Sequence, residues 1–258
     1  MTFEIARGVR AGYVTRMKTI ITVAAVSAIW FCGNSCAEPE KASQPVHDEI
    51  VEKLRLVEDK DGFTNVRAGN SVESKVAGKV LSGSVVAVEE VKGEWAQISD
   101  DLGQGRNLFV HNSRLKKLEG WKQAAGTPAK DGNAAGVKSG GVEAKVTAAP
   151  FVAAEHKITK EKEYVKEVDG HTIWGTDGNL PTKSLALTLT VDGKPVTLPA
   201  EAIRDLYQPN METLALLTKG KPGEHALVVM QNSDGAGGYT VVWAIAAGKY
   251  AGRTIITY

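Results

Sequence analysis

The histidines of the C-terminal half are the first residues to ask for chemistry, because a neutral imidazole serves both as a metal ligand and as a general base. His156, His171 and His225 stand alone, without the H-E-x-x-H or H-x-H spacing that brings two rings onto one metal. No metal and no cofactor is expected. Asp177, with Gly178 and Asn179 after it, and Asp234 could offer oxygen ligands to calcium. The D-x-D-x-D-G loop and its closing glutamate are missing, however, and turn chemistry is the stronger reading. Gly235, Gly237 and Gly238 lie between two expected strands and open no helix. A phosphate cradle needs the first amides of a helix, so this run reads as a hairpin loop. The two cysteines are Cys32 and Cys36, so a chain cut after residue 37 holds neither a disulfide nor a thiolate nucleophile. A G-x-S-x-G elbow is also missing. These residue types argue against an enzyme, and a Ser/His/Asp site assembled from distant positions is the catalytic alternative left open.

The elements around these residues begin with an export signal. Arg7, Arg10, Arg16 and Lys18 precede an apolar run over 19–31, and Ser35, Cys36 and Ala37 form a small-residue cleavage site. Residues 1–37 are therefore expected to be a signal peptide, with Met17 as an equally good start. The apolar run is about two-thirds of the ~20 residues that span a bilayer, so the membrane is a partner only before cleavage. Lipidation at a cysteine stays open, although neither cysteine follows a good lipobox. The formal net charge of +1 argues against nucleic acid as a partner. Residues 38–49, with Pro39 and Pro45, read as a tether. The segment 50–57 reads as a strand, or as a short helix starting at Asp48 that ends in one.

Residues 59–115 form the most ordered pattern. Strands are expected over 64–67, 75–80, 85–88, 95–98 and 108–110, separated by turns at Asp61 and Gly62, at 68–71, at 81–84, at Lys92 and Gly93, and at Gly103 and Gly105. Five short strands at this spacing predict a small barrel. The pattern resembles the bacterial SH3-like (SH3b) family, on Asn65, Val66, Arg67, Gly69, Val76, Gly78, Gly83, Trp95, Val110, His111, Ser113 and Leu115. Asn70 and the pair Leu108 and Phe109 depart from the family's usual residues at positions that shape the loop and groove. The resemblance implies an SH3-like barrel over 50–120 that binds peptidoglycan peptide or another envelope polypeptide. Phe63, Trp95 and Phe109 are the aromatics available to line a groove for such a ligand. The alternative for all three is core packing, since a barrel of about sixty residues needs its large side chains. Arg67 reads as a brace for the adjoining loop.

Beyond the barrel, residues 121–150 are rich in Ala, Gly and Lys and lack an aromatic beyond Trp121, a composition read as a flexible linker. As a coil of about 28 residues it would span ~30 Å, so the two halves need not touch. Residues 151–258 read as a second, antiparallel β domain. Leu185, Leu187, Leu189 and Val191 alternate with polar or small residues, and the stretch 226–230 is apolar on both faces and should be central. One helix is expected over 199–206, opened by Pro199. This domain resembles small uncharacterised secreted β-domains with an S-D-G-A-G-x-Y turn, here residues 233–239.

The fold expected is mainly β: an SH3-like barrel, a flexible linker, and an antiparallel β domain with one short helix. The function expected is that of an exported envelope-binding protein, periplasmic or extracellular. A protein-interaction or inhibitor module acting through the C-terminal sheet is the second reading, and a cell-wall hydrolase with an unrecognised site is the third.

Overall fold

Side chains alternate between the two faces of a strand, so a strand that is apolar at every position must be covered on both sides. That rule accounts for most of this architecture. The computed structural model describes residues 46–101, 104–233 and 235–258. The expected signal, 1–37, and residues 38–45 of the tether lie outside the described residues. The protein is mainly β, in antiparallel sheets. Among the described residues no helix is long and apolar enough to cross a membrane.

The chain enters through a short helix, α1 (Asp48–Lys53), so of the two readings for 50–57 the helix that ends in a strand is the one adopted. Its Ile50 is buried, and Asp48 and Glu49 sit in the first turn, where the helix dipole favours acids. Seven strands follow: β1 (Leu54–Val57), β2 (Phe63–Arg67), β3 (Val76–Leu81), β4 (Val85–Lys92), β5 (Trp95–Ile98), β6 (Leu108–His111) and β7 (Leu115–Lys117). They form one sheet in the order β3-β2-β6-β5-β4-β1-β7. Val66 of β2 and Leu115 of β7 share a single aliphatic cluster with Val57, Val86, Ile98 and Val110, so the sheet is curled into an open barrel around them. It is open because β3 pairs only with β2, although β4 follows it in the chain.

The expected linker is a correction. Residues 121–150 contain β8 (Lys122–Ala125), β9 (Thr127–Pro128), β10 (Ala134–Ser139) and β11 (Val142–Pro150). Val142, Ala144 and Val146 are fully buried and alternate with the exposed Glu143 and Lys145. The signal is a period-two pattern written in small residues, and composition alone hides it. β11 pairs along its whole length with β15 (Lys183–Val191), which also pairs with β16 (Lys194–Pro195). Between them, residues 151–182 leave the sheet and form a small one of their own, from β12 (Ile158–Glu161), β13 (Tyr164–Val168) and β14 (His171–Thr172).

The final strands, β17 (Ala215–Lys219), β18 (His225–Asn232), β19 (Tyr239–Ala246) and β20 (Lys249–Thr257), make a five-stranded sheet ordered β20-β19-β18-β17-β8. β18 is in the middle, as its two apolar faces predicted. One face, with Leu216, Val228, Met230, Val241 and Trp243, packs on the inner side of β11 and β15. The other, with Leu217, Leu227, Val229, Val242 and Ile256, packs on Leu54, Leu56, Val85 and Ala87 of the barrel. Strands β1 and β4 thus give alternate residues to the barrel core and to this second core. The halves expected to be separable share apolar packing within one unit that includes residues 46–258. Gly83 and Gly252 permit the approach: a Cβ on Gly83 would stand 2.5 Å from the Ala246 Cβ, and one on Gly252 would stand 2.7 Å from the Ser84 Oγ.

The helix expected over 199–206 is a second correction, for only a 3-10 turn forms at Ala200–Ala202. Ile203 leaves helical geometry at φ −140°. The break turns Ala202, Leu206 and Tyr207 inward to be buried, and the Ala202 carbonyl accepts the indole N–H of Trp243 at 2.8 Å. A continued helix would spend that carbonyl on its own ladder.

Candidate ligand-binding site

The three candidate groove aromatics lie on the barrel, and strand parity places them on one face. In β5 and β6, Ala96, Ile98, Leu108 and Val110 point into the barrel core, so Trp95 and Phe109 point out of it. Phe63 alternates with Thr64 and Val66 and shares that outer face. Trp95 is nevertheless only 9% exposed and Phe109 only 7%. His111, directly across the ladder from Trp95, sets its ring edge-on to the indole at 5.2 Å, and Phe109 lies between Arg67 and Gln97. Phe63 is half-buried under the Lys79 ammonium, 3.8 Å from the ring centroid. This is a covered aromatic face outside the aliphatic core. Arg67 donates to the Ser74 carbonyl at 2.8 Å, the loop brace expected of it.

The other sequence candidates do not converge. The His156 Nδ1 lies 2.7 Å from Asp169, whose carboxyl is held below the usual range by that bond and by the Lys157 amide. The ring stacks on Phe151 at 4.6 Å, and the pair closes the base of the small sheet. His225 is elsewhere, beside Trp121. The Thr176 to Gly178 turn does meet the glycine run. A Cβ on Gly237 would come within 2.4 Å of the Asp177 Oδ1, so the glycines serve close packing of two loops. Among the described residues no three His, Cys, Asp or Glu side chains are grouped to hold a metal.

What sequence reading missed is a cleft of about 240 Å³ at the barrel's open side. Its floor is the barrel core itself, at Val66, Val86, Ile98 and Leu108. One wall is β3, an edge strand exposed at Val76, Ala77, Gly78, Lys79 and Leu81. Gly78 lies across from Val66 and faces the floor, and a Cβ there would meet nothing within 4 Å. The cleft exists partly because residue 78 has no side chain. The opposite wall is Asp101, Arg106, Arg253 and Thr254.

That wall is an ordered charge network. Arg253 on β20 donates to both oxygens of Asp205, at 2.6 and 2.5 Å, in a two-pronged pair whose side chains are each 10% exposed. Burial opposes the Arg253 charge and is the largest single effect on it, but the Asp205 bond together with the charges of Asp205, Tyr250 and Asp101 exceeds it, leaving the pKa raised. Arg106 is held in the same manner by Asp100. Asp101 is different. Its Oδ1 accepts the Ile255 N–H at 2.8 Å and the Thr254 hydroxyl at 2.9 Å, which caps the free edge of β20. Desolvation still pushes its carboxyl up to about 6, against the lowering effect of those two bonds and of Arg253. The clues in the sequence were the pair Asp100 and Asp101 at a strand end and an arginine inside the apolar terminal strand. Each is silent until the fold brings them together.

Chemically, the cleft offers a free strand edge, an apolar floor and a carboxylate. Comparison with known protein families, with characterised proteins and with solved structures finds no match for this chain.

Proposed function

We propose that this is an exported envelope-binding protein in which an SH3-like barrel takes an extended polypeptide, a peptidoglycan peptide or a segment of another envelope protein, along β3. One observation carries the reading: β3 has an unpaired edge, exposed almost throughout, beside a cleft whose floor is the barrel's own core. A bare edge supplies backbone donors and acceptors to an added strand, and the pocket beside it takes alternate side chains. Leu81 at 56% exposure and Val76 at 43%, across from Phe63 and Arg67, add apolar surface on the outer face of the same edge. The role is binding and not catalysis, and the two-sided packing of the central sheet serves to hold the barrel rigid.

Gly78→Leu tests the reading. The new side chain enters empty space, so the melting temperature of the full chain should hold or rise, while co-sedimentation with purified sacculi should fall at least tenfold. Retention of Gly78→Leu at the parent level, with the fold intact, would remove the cleft from the function. The reading in which the C-terminal sheet caps a partner would then take its place.

A further inference from the structure

We propose that the cleft recognises a ligand amine, with the Asp101 carboxylate as its counter-ion. The proposal rests on the peptide-binding reading above and adds the chemistry of one ligand group. Asp101 lines the cleft. Both of its hydrogen bonds fall on Oδ1, from the Thr254 hydroxyl and the Ile255 amide, which leaves Oδ2 for an occupant. The nearby cations are committed elsewhere: Arg253 to Asp205, and Arg106 to Asp100. Lys79, on β3, reaches over the Phe63 ring on the outer face. Asp101 is therefore the cleft's one acid without a bonded cation, and charge complementarity selects an ammonium carried by an extended peptide.

The electrostatics agree with the geometry. Groups acting on Asp101 are Arg253 from β20 and Asp100 from its own loop, and Tyr250, Asp205 and Arg106 belong to the same network. Together they leave Asp101 under-compensated, since desolvation outweighs the lowering contributions. An ammonium bonded to Oδ2 would supply the missing charge and lower the pKa, so binding expels a proton wherever free Asp101 is protonated. Affinity for an amine should then rise with pH through about 6 and level off above it, because a lysine-type amine stays charged until near 10.

The probes are the stem pentapeptide blocked at its N-terminus, acetyl-L-Ala-γ-D-Glu-L-Lys-D-Ala-D-Ala, and the same peptide acetylated also on the lysine amine, titrated into the full chain by calorimetry at pH 7.5 and pH 5. At pH 7.5 the free amine should bind about 10- to 100-fold tighter than the acetylated form, the range of one charge-assisted hydrogen bond. At pH 5 the preference should shrink several-fold. Asp101→Asn should erase it at both pH values, and the pH comparison on the parent gives the same answer should that variant fail to fold. Gly78→Leu should weaken both peptides together. Equal binding of the two peptides, still sensitive to Gly78→Leu, overturns the amine contact and leaves the cleft standing. Binding of neither peptide, or of both unaffected by Gly78→Leu, overturns both.

Discussion

The central sheet and the β3 flank of the barrel use their strands in opposite ways. In the sheet, β17, β18 and β19 are buried on both faces, and the two large polar rings at its centre are matched: the Trp243 indole N–H to the Ala202 carbonyl, and the Tyr239 hydroxyl to the Tyr207 carbonyl at 2.9 Å. Its free edge at β20 is capped at the Ile255 amide by Asp101. The β3 flank leaves its edge bare and its aromatics outside the core. Stability therefore resides in the first region and accessible bonding capacity in the second, the division expected when a rigid scaffold presents a variable surface.

The largest test of that division is Trp243→Ala. The indole is fully buried between two sheets, so lost transfer energy and the residual cavity should cost about 3–5 kcal/mol. Because the same sheet packs on Leu54 and Val85 through its other face, the barrel should unfold with it. Urea curves followed by barrel and by C-terminal fluorescence would coincide. Separate midpoints would mean that the barrel stands alone.

Trp95→Ala should cost less, about 2 kcal/mol, because the ring is covered by neighbours such as His111 and makes no part of the aliphatic core. Trp95→Phe should keep most of that edge-on contact. The sequence left core and groove open for this residue; it lies buried on the outer face, apart from the aliphatic cluster, and parity could not say what would cover an outward ring. A loss as large as that from Trp243→Ala would show that the outer face is a second barrel core.

Val146→Thr separates a strand from a linker. A hydroxyl forced into the fully buried Val146 site without a partner should cost about 1–2 kcal/mol in urea denaturation, whereas in a flexible linker it would cost nothing measurable. Sequence reading succeeded wherever large apolar residues carried the period: the strands of 64–67, 95–98 and 164–168, the leucine ladder at 185–191, and the central place of β18. It failed at 121–150, where Val, Ala and Gly carry the period with little hydrophobic contrast. It failed again at 199–206, where a tertiary bond to Trp243 replaces helix bonds. The cleft was illegible for another reason. The space that Gly78 leaves depends on β3 parting from β4, and Asp101 and Arg253 are joined only by the fold.

The smallest effect concerns the capped edge. Asp101 has its carboxyl raised to about 6 in the folded chain, against about 3.8 when solvated, so the folded state holds the proton more firmly than the unfolded state does. The stability linked to that proton is complete below about 4 and is lost as pH rises through about 6. Asparagine stands in for the protonated acid: its Oδ1 can still accept the Ile255 N–H and the Thr254 hydroxyl, and it carries no charge to desolvate. Asp101→Asn should therefore match the parent near pH 4 and exceed it by about 1 kcal/mol at pH 7.5, with loop relaxation absorbing the rest of the nominal difference. Subtracting the two stability curves cancels every other titrating group. A difference that stays flat from pH 4 to 7.5 would mean that the carboxylate is solvated at neutral pH, and that the β20 edge is capped by an acid with no need of a partner.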